Sequence, residues 1–363
     1  MIHSDGESAG HLIRDFRGKD TRGSAMMSIQ ELDNTPEARR AYDRLVDLSP
    51  AGSMYCRTWW LDAVAPSQYT IFTLQQGENL QAAWPLVTQD INGRRCIGMP
   101  PLTQKLGVLL TPSTAKYAEK LSQEHTILEG FIRRLPADTA IEQHLHESLT
   151  NWLPFYWNGF QQTTRYTYLI PDLKNLDSVW KLMRTAARTG VRNASKRGVR
   201  VREARDVAEV FGMYAMTMKR QGMPVLQSLE QVERLDEACA KNAGRLALIA
   251  EDAQGRVHAA AYMVYDARCA FYLLGGADPD LRNSGAQTIL LWEAITFASR
   301  TSETFDFEGS MIQGVESALR DLGGIQTPYS RIWRERSRRQ SSNLRRLSGR
   351  VLRKLARLAD PVE

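Results

Sequence analysis

The sequence predicts an α+β fold built from two similar halves, and three observations carry that expectation. First, the chain contains a diverged copy of part of itself. An offset of 178 places Ile71, Gln76 and Gly77 on Ile249, Gln254 and Gly255, and Ala82-Ala83 on Ala260-Ala261. It also places Gly98, Pro101 and Gly107 on Gly276, Pro279 and Gly285. Eight of 37 ungapped positions agree, where average composition gives roughly two or three. A repeat this long is a domain-sized unit. Second, 363 residues suit two domains of roughly 100–200 residues each. Third, short alternating runs bounded by Gly and Asn sit between segments of helical periodicity, which is the pattern of helices against a mostly antiparallel sheet.

In chain order, Thr35 to Leu48 reads as a helix with Asn34 or Thr35 as N-cap. Tyr55 to Val64 reads as a second helix, ended by Pro66. Gln68 to Leu74, Asn79 to Val87 and Arg94 to Gly98 form a three-strand meander whose turns are supplied around Gly77 and Gly93. Ala115 to Arg134 is a helix, a strand follows near Ala140, His146 to Trp152 reads as a helix, and Gln161 to Leu169 as a strand. The second half begins with a helix over Ser178 to Lys196 and a short strand at Val199 to Arg202. Helices at Val207 to Gln221 and Leu229 to Asn242 lead into a second meander, Arg245–Glu251, Val257–Tyr265 and Cys269–Leu274. A helix from Gly285 to Ser299, a buried strand at Phe305 to Phe307 and a helix at Gln313 to Leu322 complete it. The expected divisions are a disordered segment 1–27 ahead of a translation start at Met26 or Met27, a first domain 28–170, a second domain 171–330 and a tail 331–363.

Composition excludes several classes. Hydrophobic residues make up 43% and charged residues 24%, as in ordinary soluble domains, and no apolar run reaches the ~18 residues of a membrane span. The polar N-terminus lacks the apolar centre of a secretory signal. Cys56, Cys96, Cys239 and Cys269 are scattered, which argues against zinc and against a disulfide framework; no metal is expected. The charge is uneven. Ten Arg, one Lys and one Glu fall between Arg331 and Arg357, so the rest of a +6 chain is mildly acidic. Leu344, Leu347, Val351, Leu355 and Leu358 form a narrow apolar stripe in that tail. A basic amphipathic helix there suits an anionic membrane surface, tRNA phosphates, or the protein's own acidic body.

Gly275 to Gln287 carries the strongest chemical signal. Glycines allow close backbone approach, a helix opening at Gly285 presents unpaired N–H groups, and Arg282 adds a full charge. The combination suits a phosphate or pyrophosphate; a plain loop with an N-cap at Ser284 fits the same residues. Asp306 and Glu308, two apart on a strand, would face the same way and would suit positioning or deprotonating an attacking amine or hydroxyl. A structural role in the Gly309-Ser310 turn is the alternative. Gln104 and Lys105 occupy the matching loop of the first copy, where Lys105 would hold an anionic acceptor; a solvated loop lysine is the alternative. Arg184, Arg188 and Arg192, with Lys196, line one helical face, a phosphate grip or a solvated surface. His258 reads as a core or edge histidine.

Arg282-Asn283-Ser284-Gly285-Ala286-Gln287 after a meander resembles the acyl-CoA loop of the GNAT acyltransferases, usually Gln/Arg-x-x-Gly-x-Gly/Ala. It departs at Gln287. The ordered series Leu274-Gly275-Gly276, Leu290–Ile295, Phe305–Met311, Arg320–Gly324 and Pro328-Tyr329 resembles the tandem-GNAT proteins related to the Fem peptidyltransferases, and acyltransferase-like proteins of polysaccharide biosynthesis. Trp59-Trp60-Leu61, Pro100–Gly107 and Arg192–Val199 fit the same group, so the resemblance covers about residues 50 to 333. It implies two GNAT-like domains in tandem and an acyltransferase acting on a cell-envelope or polysaccharide precursor. The expected donor is acyl-CoA, as a substrate and not a tightly bound cofactor. Arg282, Asn283, Ser284, Gly285 and Ala286 would hold it. Glu308 and Asp306 would be catalytic, and Gln104, Lys105, Arg192, Lys196 and Tyr329 would contact a small-molecule, lipid-linked or nucleotide-linked sugar acceptor. Fem-type transfer from aminoacyl-tRNA, and a non-catalytic binding or assembly role, are the competing expectations. The expected location is the cytoplasm, with the tail able to hold the protein at the inner membrane face. Because the first-copy loop runs into Val108–Pro112 and not into a clean helix start, the phosphate site is expected only in the second copy.

Overall fold

A computed structural model describes residues 28–336, except 78 and 92; the N-terminal segment 1–27 and the tail from 337 lie outside the described residues. The first half runs β1 (Ile29–Glu31), α1 (Pro36–Leu48), a 3-10 turn (Met54–Cys56), α2 (Thr58–Val64), β2 (Tyr69–Gln76), β3 (Asn79–Ile91), β4 (Arg94–Gly98), β5 (Leu109–Leu110), α3 (Tyr117–Arg134), β6 (Ala140–His144), α4 (Leu153–Trp157) and β7 (Gln161–Ile170). The second runs α5 (Leu176–Leu182), α6 (Thr185–Lys196), β8 (Arg200–Glu203), α7 (Val207–Arg220), α8 (Leu229–Asn242), β9 (Gly244–Glu251), β10 (Val257–Tyr265), β11 (Cys269–Ala277), a 3-10 turn (Arg282–Ser284), α9 (Ala286–Ala298), β12 (Thr304–Asp306), α10 (Gln313–Asp321) and β13 (Ile325–Arg334).

All thirteen strands among the described residues belong to one sheet, ordered β1-β2-β3-β4-β6-β13-β7-β12-β11-β10-β9-β8, with β5 on the side of β3. The order reads the same from both ends. Each half contributes two antiparallel hairpins (β2-β3-β4 and β9-β10-β11) and then a strand parallel to the last of them, β6 on β4 and β12 on β11. The halves then exchange their final strands. β13, from the second half, pairs with β6; β7, from the first, pairs with β12. The two exchanged strands zip together antiparallel from Ile325↔Leu169 to Trp333↔Gln161. Thus the expected boundary at 170 ends a strand that lies among second-half partners. The boundary at 330 falls inside β13, whose residues Arg331–Arg334 are strand and not the start of a basic helix.

Local sequence explains most elements. Thr35 caps α1 by accepting from the Ala38 N–H at 3.2 Å, Pro36 occupies the first turn, and the helix buries Tyr42, Leu45 and Val46. Ser228 and Gln231 form a capping box on α8. The repeated turn glycines Gly77 and Gly255 both take left-handed φ, 62° and 73°, which explains why this pair survives in both copies. Elsewhere the sequence reading is corrected. The expected helix over 178–196 breaks at Met183, and Arg188 donates to the carbonyls of Trp180 and Lys181 at the end of α5. His146 to Trp152 is not helical; the helix there starts at Leu153.

Three apolar clusters hold the molecule. Two are centred one in each half and take in the exchanged strands, Tyr168 and Ile170 of β7 in the second-half cluster and Ile332 of β13 in the first-half one; the third is shared: Tyr55, Trp60 and Leu61 of the first half pack in it with Val232, Leu235 and Phe271 of the second. Apolar area buried across the halves adds to the backbone pairing of the exchanged strands, so the halves are fixed relative to each other. No helix among the described residues is long and apolar enough to cross a membrane.

Candidate active site between the halves

β11 is the scaffold of the site. On one edge it pairs with β10 along its length; on the other it pairs with β12 only from Cys269↔Thr304 to Phe271↔Asp306. From Tyr272 to Ala277 that second edge faces a cleft of about 900 Å³, walled by residues of α6, α7, α9 and α10. The ladder to β10 also slips here. Leu274 opposes Tyr262 and Tyr272 opposes Met263, which leaves Leu273 as a bulge. The extra residue puts Tyr272 over Gly275: a β-carbon at 275 would sit 1.8 Å from the Tyr272 hydroxyl.

Arg282, Gly285 and Gln287 line the same cleft, so the structure brings the expected phosphate loop to it. Gly285 has φ 81° and opens α9; Ser284 Oγ accepts from the Ala286 N–H at 3.2 Å. A β-carbon at Gly285 would lie 2.7 Å from the Gly190 carbonyl oxygen. Close packing of α9 on α6 therefore accounts for this glycine independently of any ligand. Asn283 is exposed, and its carbonyl accepts from Arg197 at 2.6 Å, which ties the loop to α6. Arg282 is exposed at the cleft. In the first copy, Gly107 precedes β5 and no helix follows for several residues.

The acid pair is divided in its work. β12 ends at Asp306, so the expectation that Asp306 and Glu308 share one strand face is corrected. Glu308 sits in the left-handed region at φ 58°, followed by Gly309 at 57°, where a β-carbon would lie 2.1 Å from the Tyr166 carbonyl oxygen. Both oxygens of Asp306 are occupied. Oδ1 accepts from the Thr167 hydroxyl and from the Glu308 N–H at 2.8 Å, and Oδ2 accepts from Lys105 Nζ at 2.9 Å. Asp306 thus holds the turn that presents Glu308. Glu308 lines the cleft and accepts from the hydroxyl of Tyr55, across from the other half.

Electrostatics follow from this packing. Burial pushes the Glu308 carboxyl up to about 8; neighbouring Asp306 adds to the rise, while the Tyr55 hydrogen bond and Lys105 oppose it. Burial also pushes the Tyr55 phenol well up, with Glu308 adding to it. Lys105 is buried, 3% exposed, and donates to Glu147 at 2.8 Å as well as to Asp306. Burial works against its charge, but the two carboxylates outweigh it and raise its pKa. Burial takes the adjacent His146 imidazole down to about 4, so it is neutral near pH 7.

The other expected contacts separate. Lys105 is a buried ion-pair partner, and both expectations for it, a clamp for an anionic acceptor and a solvated loop lysine, are corrected, because it is buried and both neighbouring carboxylates already neutralise it. Gln104 stands beside it. Its carbonyl lies 2.9 Å from His144 Nδ1, and its side-chain amide is buried without a partner among the described residues. Tyr329 is buried on β13 and accepts from Arg165 at 3.3 Å. Arg192 stacks over Trp180 at 5.7 Å, and Lys196 is exposed on α6; neither lines the cleft. The arginines Arg184 and Arg188 of the same stripe serve Asp321 and the end of α5. His258 contacts Asp252 at 3.1 Å. Sequence reasoning missed Tyr55, Glu147 and Thr167, which come from three separate first-half segments and carry no motif spacing.

Residues 181–316 match the acetyltransferase (GNAT) domain family. That stretch of the chain therefore carries a GNAT domain. The chain's fold is similar to that of FemX, with a TM-score of 0.62 at 13% identity over 83% of this chain and 96% of that one. It is also similar to a tandem GNAT protein from the clavulanic acid biosynthesis pathway, with a TM-score of 0.52 at 12% identity over 85% of this chain and 97% of that one. No curated protein matches the chain in sequence.

Proposed function

We propose that the protein transfers an acyl group from a coenzyme A thioester, held in the β11 cleft, to an amine or hydroxyl of a cell-envelope or polysaccharide precursor. The observation that carries the reading is that Glu308, with its carboxyl near pKa 8, lines the same cleft as Arg282 and Gly285 and meets Tyr55 of the opposite half. Arg282 and the first turn of α9 suit the donor's phosphates. The free edge of β11 suits an extended chain bearing amides, and backbone N–H groups by the Leu273 bulge suit the carbonyl oxygen as it takes on charge. The acceptor attacks the thioester carbon, Glu308 takes the acceptor's proton, the C–S bond breaks, and the thiolate leaves and is protonated from solvent. Asp306, locked by Lys105 and Thr167, keeps the Glu308 turn in place.

The envelope-precursor acceptor rests on the likeness in fold to FemX and on the Fem resemblance of the sequence. Transfer from aminoacyl-tRNA is the second reading, favoured by the ten arginines of the C-terminal segment. A thermal-shift titration separates them. Stabilisation by millimolar CoA that is lost in Arg282→Ala supports the thioester donor, and no shift with CoA but binding of aminoacyl-tRNA sinks it.

A further inference from the structure

Two exposed apolar segments of the second half reach the cleft. After α7 the chain turns at Gly222, φ 67°, into Met223-Pro224-Val225-Leu226, all exposed, with Leu226 at 76%. Met216, one turn back on α7, is exposed as well. Directly after the Glu308-Gly309-Ser310 turn, Met311 and Ile312 are 56% and 45% exposed. Met223 and Ile312 line the same cleft as Glu308, so each apolar segment reaches that cleft. The loop is tied down: Met223 N–H donates to the Met218 carbonyl at 3.0 Å, and Tyr214 donates to Gln227 at 2.8 Å. A run of large apolar side chains held in water at the lip of a cleft marks a surface that an apolar ligand covers.

Which substrate supplies that ligand is decided by where the residues come from. Every lip residue belongs to the second half, which also supplies the phosphate loop and β11. From the first half, Tyr55 reaches Glu308, Lys105 and Thr167 hold Asp306, and Glu147 pairs with Lys105; none of these four lines the cleft. An aliphatic chain attached to the donor carbonyl fits the lip, because Met223 and Ile312 line the same cleft as Arg282, Gly285 and β11. We infer that the donor is a medium- or long-chain acyl thioester whose alkyl chain leaves the Glu308 turn between Ile312 and the Met223–Leu226 loop. This rests on the thioester-donor reading above and adds the identity of the acyl group. Methionines in both segments suit a flexible chain, because their side chains adapt to irregular apolar shapes.

Calorimetric titration of the full chain with CoA, acetyl-CoA, hexanoyl-CoA and decanoyl-CoA tests it. Burying a methylene is worth up to about fourfold in affinity, so decanoyl-CoA should bind at least about tenfold tighter than acetyl-CoA even if half the chain stays wet. The gain should shrink in the surface variants Met223→Ser/Leu226→Ser and Ile312→Ser, with unacylated CoA giving the baseline in each. CoA binding with flat dependence on chain length overturns the lip while leaving the donor reading intact. A chain-length gain untouched by the variants overturns the location. Absence of binding by every thioester overturns both readings. If instead the same variants abolish sedimentation with phosphatidylglycerol vesicles while chain length has no effect, the lip is a membrane contact and the inference fails.

Discussion

Lys105 and Asp306 form a buried ion pair, Nζ to Oδ2 2.9 Å, with side chains 3% and 1% exposed. They lie 201 positions apart in sequence, one from each half. The pair joins the halves at the point where Asp306 also fixes the amide of Glu308. A charge pair removed from water is weak evidence of net stability, but removing one member leaves the other stranded.

Lys105→Met is therefore expected to destabilise the protein by about 3–5 kcal/mol, read from urea denaturation. Lys105→Met combined with Asp306→Asn should lose clearly less than the sum of the single changes, since both stranded charges go together. Additive losses would show that the two groups do not interact.

Glu308 must be ionised to accept a proton. With its carboxyl pushed up to about 8, kcat/KM should rise with pH and level off above about 8. Glu308→Gln should remove that limb and lower the rate by about 10²–10⁴-fold. The stability sign is opposite. A folded pKa above the unfolded value means that Glu308's contribution is full below about 4.5 and is lost as pH rises through 8. Glu308→Gln should thus gain stability relative to the parent as the pH is raised across that window; a constant difference would contradict the raised pKa.

Tyr55→Phe removes the hydrogen bond that lowers the Glu308 pKa. The rising limb of the rate profile should move to higher pH than in the parent protein. An unmoved limb with an unchanged rate would mean that Tyr55 only packs, against Trp60 at 5.0 Å and Phe271 at 4.7 Å.

The proposed phosphate loop should separate by function and fold. Arg282→Ala, at an exposed position, should leave stability within about 0.5 kcal/mol and weaken CoA binding about tenfold through loss of a charge-assisted contact. Gly285→Ala should cost about 1–3 kcal/mol of stability, because an alanine there is strained at φ 81° and meets the Gly190 carbonyl. Calorimetry and denaturation on both variants check the pair of outcomes.

Much of this was legible because it is local. Caps, turn glycines and strand alternation depend on residues a few positions apart, so α1, α8 and both meanders followed from spacing. The opening at Gly285, absent after Gly107, was legible for the same reason. β13 was not, since Pro328 argues against a strand. The structure tolerates it because β6 covers β13 only from Arg331 to Arg334, leaving Pro328 where one side of the strand has no partner strand. The basic face of α6 misled as well: periodicity put Arg192 and Lys196 on one face but did not say that the face turns away from the cleft.

The internal repeat at an offset of 178 by itself determined two things: that the fold is made of two like units, and that only the second opens a helix behind its glycine. Tertiary structure decided how the units join. A sequence records which residues make a strand but not which edge that strand meets, so the exchange of β7 and β13 could not be read from either copy. That exchange brings Thr167 to Asp306, and the shared core brings Tyr55 to Glu308. The copies looked like separate domains with a crevice between them; they are one sheet, and the candidate site is assembled at its seam by side chains that only folding makes neighbours.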